Sequence, residues 1–109
     1  MMKLAMSQAA AGLLRTLLQR AGIARESVLL TDYRSTEWHS LTFAGERHEI
    51  GLRIPAPADA VAARLLDGLA EAEFAVTGHF VADIGLAGEP CGHADGAVTL
   101  FIEALTIAE

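Results

Sequence analysis

Between Trp38 and Ile54 apolar and polar residues alternate, but the phase changes midway. Leu41 and Phe43 sit at odd positions, and Ile50, Leu52 and Ile54 at even ones. Alternation at period two marks a strand with one face on a core. A phase change inside it requires a turn, and Gly45-Glu46 fits, because glycine first is the type II′ hairpin signature. The spacing predicts a hairpin with Phe43 opposite His48, Leu41 opposite Ile50 and His39 opposite Leu52. One face is then apolar with a histidine at each end. The other carries Trp38, Ser40 and Thr42 against Arg53, Gly51 and Glu49. A slip of one residue would mix the two faces, so the pattern specifies its own register.

The flanking segments assign themselves by period. Met6, Ala10, Leu13, Leu14, Leu17, Leu18 and Ala21 recur at spacings of three and four, which predicts a helix from Leu4 to about Ala21 ended by Gly22. Its stripe continues into charged turns, so this start reads as a structural helix rather than a cleaved signal, in a cytoplasmic protein. Ser27 to Tyr33 is rich in strand formers, and the polar run Arg34 to Glu37 reads as a turn. Pro55-Ala-Pro57 breaks the ladder and opens a second helix with a stripe of Val61, Leu65, Leu66, Leu69 and Ala72, and with Gly68 in its interior. Two longer alternating strands follow, over Val76–Ile84 and Val98–Ile107, joined by the glycine-rich loop GLAGEPCGHADG. Matching their apolar positions sets Phe80 opposite Ile102 and His79 opposite Glu103.

The predicted fold is α+β in the order α-β-β-β-α-β-β, a single domain over residues 1–109. It has one antiparallel sheet with two helices packed on one face. At 109 residues with 52 % hydrophobic content the chain can bury a core without staples, and its one cysteine, Cys91, excludes an internal disulfide. The formal charge of −6 argues against nucleic acid as a partner. No apolar run approaches the length of a membrane span, so no membrane partner is expected.

Candidate chemistry centres on the histidines. His39 and His48, held among apolar neighbours, would have lowered pKa values and could hold a ligand or act as bases. Trp38 beside Arg53 would form a cation–π pair or an aromatic platform. His79 opposite Glu103 would form a cross-strand acid/base pair. In the loop, Glu89, Cys91, His93 and Asp95 alternate along extended backbone and cannot easily surround one ion, so neither a metal nor another cofactor is expected. That loop's glycines predict a mobile segment. Phosphate-binding glycine loops, nucleophile elbows and zinc-protease motifs are absent from the sequence.

The segments EWHSLTFAGERHEI and LAEAEFAVTGHFVADI resemble small uncharacterised α+β bacterial proteins of high-GC genomes, a likeness that brings no function. The element order and acidity are similar to class I chaperones of type III secretion, a resemblance that implies dimers formed through the sheet.

Val81, Phe101, Leu105 and Ile107 crowd the face that the helices leave free, and such a patch calls for cover. The reading is a non-catalytic protein-interaction module that binds a second copy of itself as a homodimer, or another protein. Val81, Phe101, Leu105 and Ile107 would form the interface, with His79 and Glu103 within it or at its rim. The alternative is a small-molecule binder or enzyme with its site between sheet and helices, using His39 or His48, with Trp38 and Arg53 as further ligand contacts.

Overall fold

The computed structural model of the chain describes residues 6–109, so the expected helix start at Leu4 lies outside the described residues. Helix α1 spans Gln8–Ala21. Ser7 caps it by accepting the Ala10 N–H at 3.1 Å, as short hydroxyl side chains do at an N-cap. Gly22, at φ 70°, closes the other end. The Gly22 N–H reaches Gln19 O and the Ile23 N–H reaches Leu18 O, which satisfies two of the helix's last carbonyls.

The strands are β1 (Leu29–His39), β2 (Ala44–Ile54), β3 (His79–Leu86), β4 (Cys91–Gly92) and β5 (Val98–Ala108). They form one antiparallel sheet in the order β1-β2-β5-β3, with β4 paired to β5. Helix α2 (Asp59–Leu66) lies beside α1 on the same face. Arg20 Nε donates to Leu65 O at 3.1 Å and Arg64 Nε to Ala21 O at 2.9 Å, so each helix binds backbone of the other. The α+β class, the single antiparallel sheet of five strands and the two helices on one face are as the periodicities predict. The order, however, is α-β-β-α-β-β-β rather than α-β-β-β-α-β-β: one long β1 replaces two expected strands, and the short β4 lies in the expected loop.

The core lies where the even-numbered strand positions meet the helices. Ile50, Leu52 and Ile54 of β2 and Leu100 and Ile102 of β5 are at most 1 % exposed and pack against Leu13, Leu17 and Leu65. Each such side chain contributes about 1.5–3 kcal/mol by leaving water. The register makes this possible, since Ile50 faces Ile102 and Leu52 faces Leu100 across the β2–β5 ladder.

The strands are divided differently from the prediction. The polar run Arg34–Glu37 is the middle of β1 rather than a turn, because an edge strand with a solvated face accommodates polar residues. The hairpin turns at residues 40–43, where the Ser40 N–H donates to Phe43 O at 2.9 Å. His39 therefore faces Ala44, Trp38 faces Gly45 and Ser35 faces His48. The expected pairs of Phe43 with His48, Leu41 with Ile50 and His39 with Leu52 do not form. Gly45 serves another purpose: a Cβ there would collide with the carbonyl oxygen of Thr106 on β5.

The second helix also stops early. Gly68 adopts φ 62° after α2 has ended, and a single 3₁₀ turn, Leu69–Glu71, follows. The residue read as a helix-interior glycine is the helix stop, because the left-handed conformation suits glycine and few others. On the far side, the pairing of β3 with β5 shifts between Val81 and Asp83, and Phe80 faces Ile107 rather than Ile102.

Gly45→Val is expected to destabilise the fold by about 1–3 kcal/mol through overpacking against β5. Urea denaturation checks this, and an unchanged midpoint would contradict the close approach of the two backbones.

Candidate functional site

His48 is the one histidine that the fold takes fully inside, at 0 % exposure. It projects from β2 toward the helices. Its Nδ1 lies 2.6 Å from Ser35 Oγ, and its Nε2 lies 2.8 Å from Thr106 Oγ1. Ser35 Oγ is in turn 2.7 Å from the Tyr33 hydroxyl, which accepts the Ser7 N–H at 3.4 Å. A neutral imidazole has one donor and one acceptor nitrogen, and a hydroxyl can serve either. This chain therefore satisfies both ring nitrogens without a carboxylate. Burial lowers the His48 pKa below its usual 6.5, with Glu46 opposing and His79 adding to the shift.

Ser35 beside His48 has the spacing of a nucleophile and base. The ring is nonetheless enclosed, and its second nitrogen meets a threonine rather than an orienting acid. The expected pairing of His48 with Phe43 leaves out Ser35, Tyr33 and Thr106, the residues that surround the ring. The usable signal was the tyrosine–serine alternation of Tyr33 and Ser35, which puts both on one strand face.

His39 shares the strand side of His48 by alternation but stands in solvent. Its imidazole is 66 % exposed, 3.8 Å from the Glu37 carboxylate. Trp38 and Arg53 are not together, since Trp38 faces Gly45 while Arg53 lies between Leu29 and Thr99. Arg53 binds Asp95 at 2.6 Å instead. The Ala97 N–H, opposed by slight desolvation and aided by Arg53, holds the Asp95 carboxyl below its usual range. His93 Nε2 is 2.7 Å from Thr99 Oγ1, and Cys91-Gly92 pairs with β5. The glycine-rich loop is thus tied to the sheet at three points rather than free. Among the described residues no group of three or more His, Cys, Asp and Glu side chains converges.

Of the predicted patch, Phe101, Leu105 and Ile107 lie on the helix-free face at alternate positions of β5, but Val81 does not. Val81 lies across from Thr106 on the helix side and packs against the core. Ile107 is 3 % exposed, and it shares its row with Trp38, Gly45 and Phe80. His79 faces Ala108, and Glu103 faces Glu49 and Gly85, so His79 and Glu103 do not meet. His79 Nδ1 lies 3.1 Å from Thr77 O. Leu105 is half-buried and Phe101 is 39 % exposed. Between Phe101 and the Trp38–Phe80 row runs a charged band, where Arg34 binds Glu49 at 2.7 Å beside Glu103. Asp32, Arg34, Glu49, Gly51, Phe101 and Glu103 line a cleft of about 430 Å³ on this face. The Phe101 ring edge comes 3.1 Å from where a Gly51 Cβ would stand.

Two further features lie outside the sequence reading. A groove of about 560 Å³ runs along α1, lined by Met6, Ala11, Leu14, Leu18 and Ile23 with Arg15 and Arg25 beside them. The hairpin turn holds Leu41, fully exposed, and Phe43, 53 % exposed. Neither His39 nor His48 lines any of these clefts.

The fold is that of a small α+β domain, an open antiparallel sheet with two helices on one face. It is similar to a chain in the virion of a native gene transfer agent particle, with a TM-score of 0.63 over 92 % of this chain and 98 % of that chain. At 15 % identity the likeness is one of fold. No family model and no curated protein matches the sequence, so neither the resemblance to high-GC bacterial proteins nor that to secretion chaperones gains a family. No described helix is long and apolar enough to cross a membrane.

The His48 environment carries a pH signature. An unfolded histidine titrates near 6.5, and the folded one does so lower. As pH falls below about 6.5 the unfolded chain takes up a proton that the folded chain refuses, so stability drops until the lowered folded pKa is reached. His48→Phe should cost about 1–3 kcal/mol by orphaning the buried Thr106 hydroxyl, and should flatten that drop. Denaturant titrations at several pH values check both. An unaltered pH slope would contradict the assignment.

Proposed function

We propose that the protein is a non-catalytic interaction module, a structural subunit that works by binding other protein chains, copies of itself included. The observation that carries this reading is the virion chain. The shared fold spans 98 % of it, so in that particle a component is built almost wholly from this fold. A homodimer is the smallest assembly of the proposed kind, and the cytoplasm is its proposed place of synthesis and assembly.

The side chains support the same reading. His48, the buried histidine, has both nitrogens satisfied inside the fold. Among the described residues the large apolar groups that remain exposed are Leu29 at the start of β1, Leu41 and Phe43 at the turn, and Phe80 and Phe101 on the open face. Exposed apolar groups of this size are most useful when a partner covers them. A second reading, a ligand site on His39 or His48, draws no support from their surroundings, one being in solvent and the other enclosed.

Face-to-face pairing through the open sheet would bury the Arg34–Glu49–Glu103 band, which costs more than its ion pair returns. The proposed contacts therefore lie outside this charged band. Sedimentation equilibrium should show the average mass rising above 11.5 kDa at concentrations of roughly 10–100 μM, the range of a modest interface. A mass fixed at that of one chain throughout would count against self-association.

A further inference from the structure

We propose that the β1–β2 turn of one copy docks in the apolar groove along α1 of a second copy, joining chains head to tail. The inference rests on the self-association proposed above and names the surfaces. The turn is the donor: Leu41 and Phe43 stand exposed at its end, beyond the β2–β5 ladder, which begins at Gly45 and Ile107. The acceptor is the groove, where Ala11, Leu14, Leu18 and Ile23 offer a nearly continuous apolar lining. Its volume of about 560 Å³ admits one leucine and one phenylalanine side chain.

Charge selects this occupant. Glu37 and Glu46 face each other directly across the hairpin just behind the turn. Like charges at such a pair repel, and the ion-pair contact they have among the described residues is that of His39, 3.8 Å from Glu37. The groove carries Arg15 and Arg25. Among the described residues neither arginine is in an ion pair, and nor is Glu46. An apolar tip backed by two carboxylates thus matches an apolar groove flanked by two guanidinium groups. Charges of opposite sign at the rim of a contact steer encounter and fix its register. The two surfaces differ, so the contact is heterologous: it leaves a free tip at one end and a free groove at the other.

The test uses two full-length variants altered at exposed positions, a tip variant (Leu41→Asp with Phe43→Asp) and a groove variant (Ala11→Glu with Arg15→Glu). Circular dichroism confirms that each folds. In sedimentation velocity each alone should associate at least about tenfold more weakly than wild type. Mixed in equal amounts they should form a 1:1 dimer, because the groove variant keeps its tip and the tip variant keeps its groove. If wild type associates but either variant does so equally well, or the mixture gains nothing, the contact is overturned while self-association stands. A monomeric wild type overturns both. A monomeric wild type that associates once Leu4→Asp is introduced would mean that the chain's own first residues occupy the groove, and also overturns the proposal.

Discussion

Everything in this fold hangs on the pairing of β2 with β5. The two strands sit in the middle of the sheet, and their register stacks Ile50 on Ile102 and Leu52 on Leu100 beneath both helices. Because side chains alternate at period two, that one register also decides what the opposite face shows. It puts Glu49 against Glu103 and sets Gly45 beside Ile107. It even fixes a residue type, since the Thr106 carbonyl leaves no space for a Cβ on Gly45. The helices are held by the apolar surface this ladder creates and by two arginines that bridge them.

The same ladder brings His48 and Thr106 to one side, where a polar chain runs from Ser7 at the start of α1 through Tyr33 and Ser35 to the ring and on to Thr106. Such a chain ties α1, β1, β2 and β5 together. Buried polar groups are costly when unpaired and specifying when fully paired. Every buried side-chain nitrogen and oxygen among the described residues has a partner. The histidine is best understood as a fastener of the sheet to its first helix.

Much of this is legible in the sequence, and the rest is hidden for definable reasons. The α1 stripe, its glycine stop and the even-numbered core positions of β2 and β5 follow from period alone. The turn does not. Gly45 looks like a hairpin glycine, and nothing local says that a neighbouring strand, distant in sequence, needs the space. Polar residues from Arg34 to Glu37 look like a turn because an edge strand relaxes the composition that marks a strand. The His79–Glu103 pair and the Val81 position fail for another reason: the irregularity between Val81 and Asp83 reverses the alternation of β3, and no residue type announces it. For the site, His48 is visible as a histidine in an apolar run, but its partners depend on the register and so are lost with the turn.

On the function proposed above, what remains exposed gives the protein its work. The open face is divided by charge, while the turn and the α1 groove are apolar, separate and oppositely charged at their rims. A subunit with two unlike surfaces does not stop at two copies unless geometry closes a ring. Native mass spectrometry across a concentration series tests this most directly. The account predicts association that grows with concentration, either as an open series of dimers, trimers and larger species or as one closed ring of two or more copies. A population confined to monomers at every concentration would contradict it.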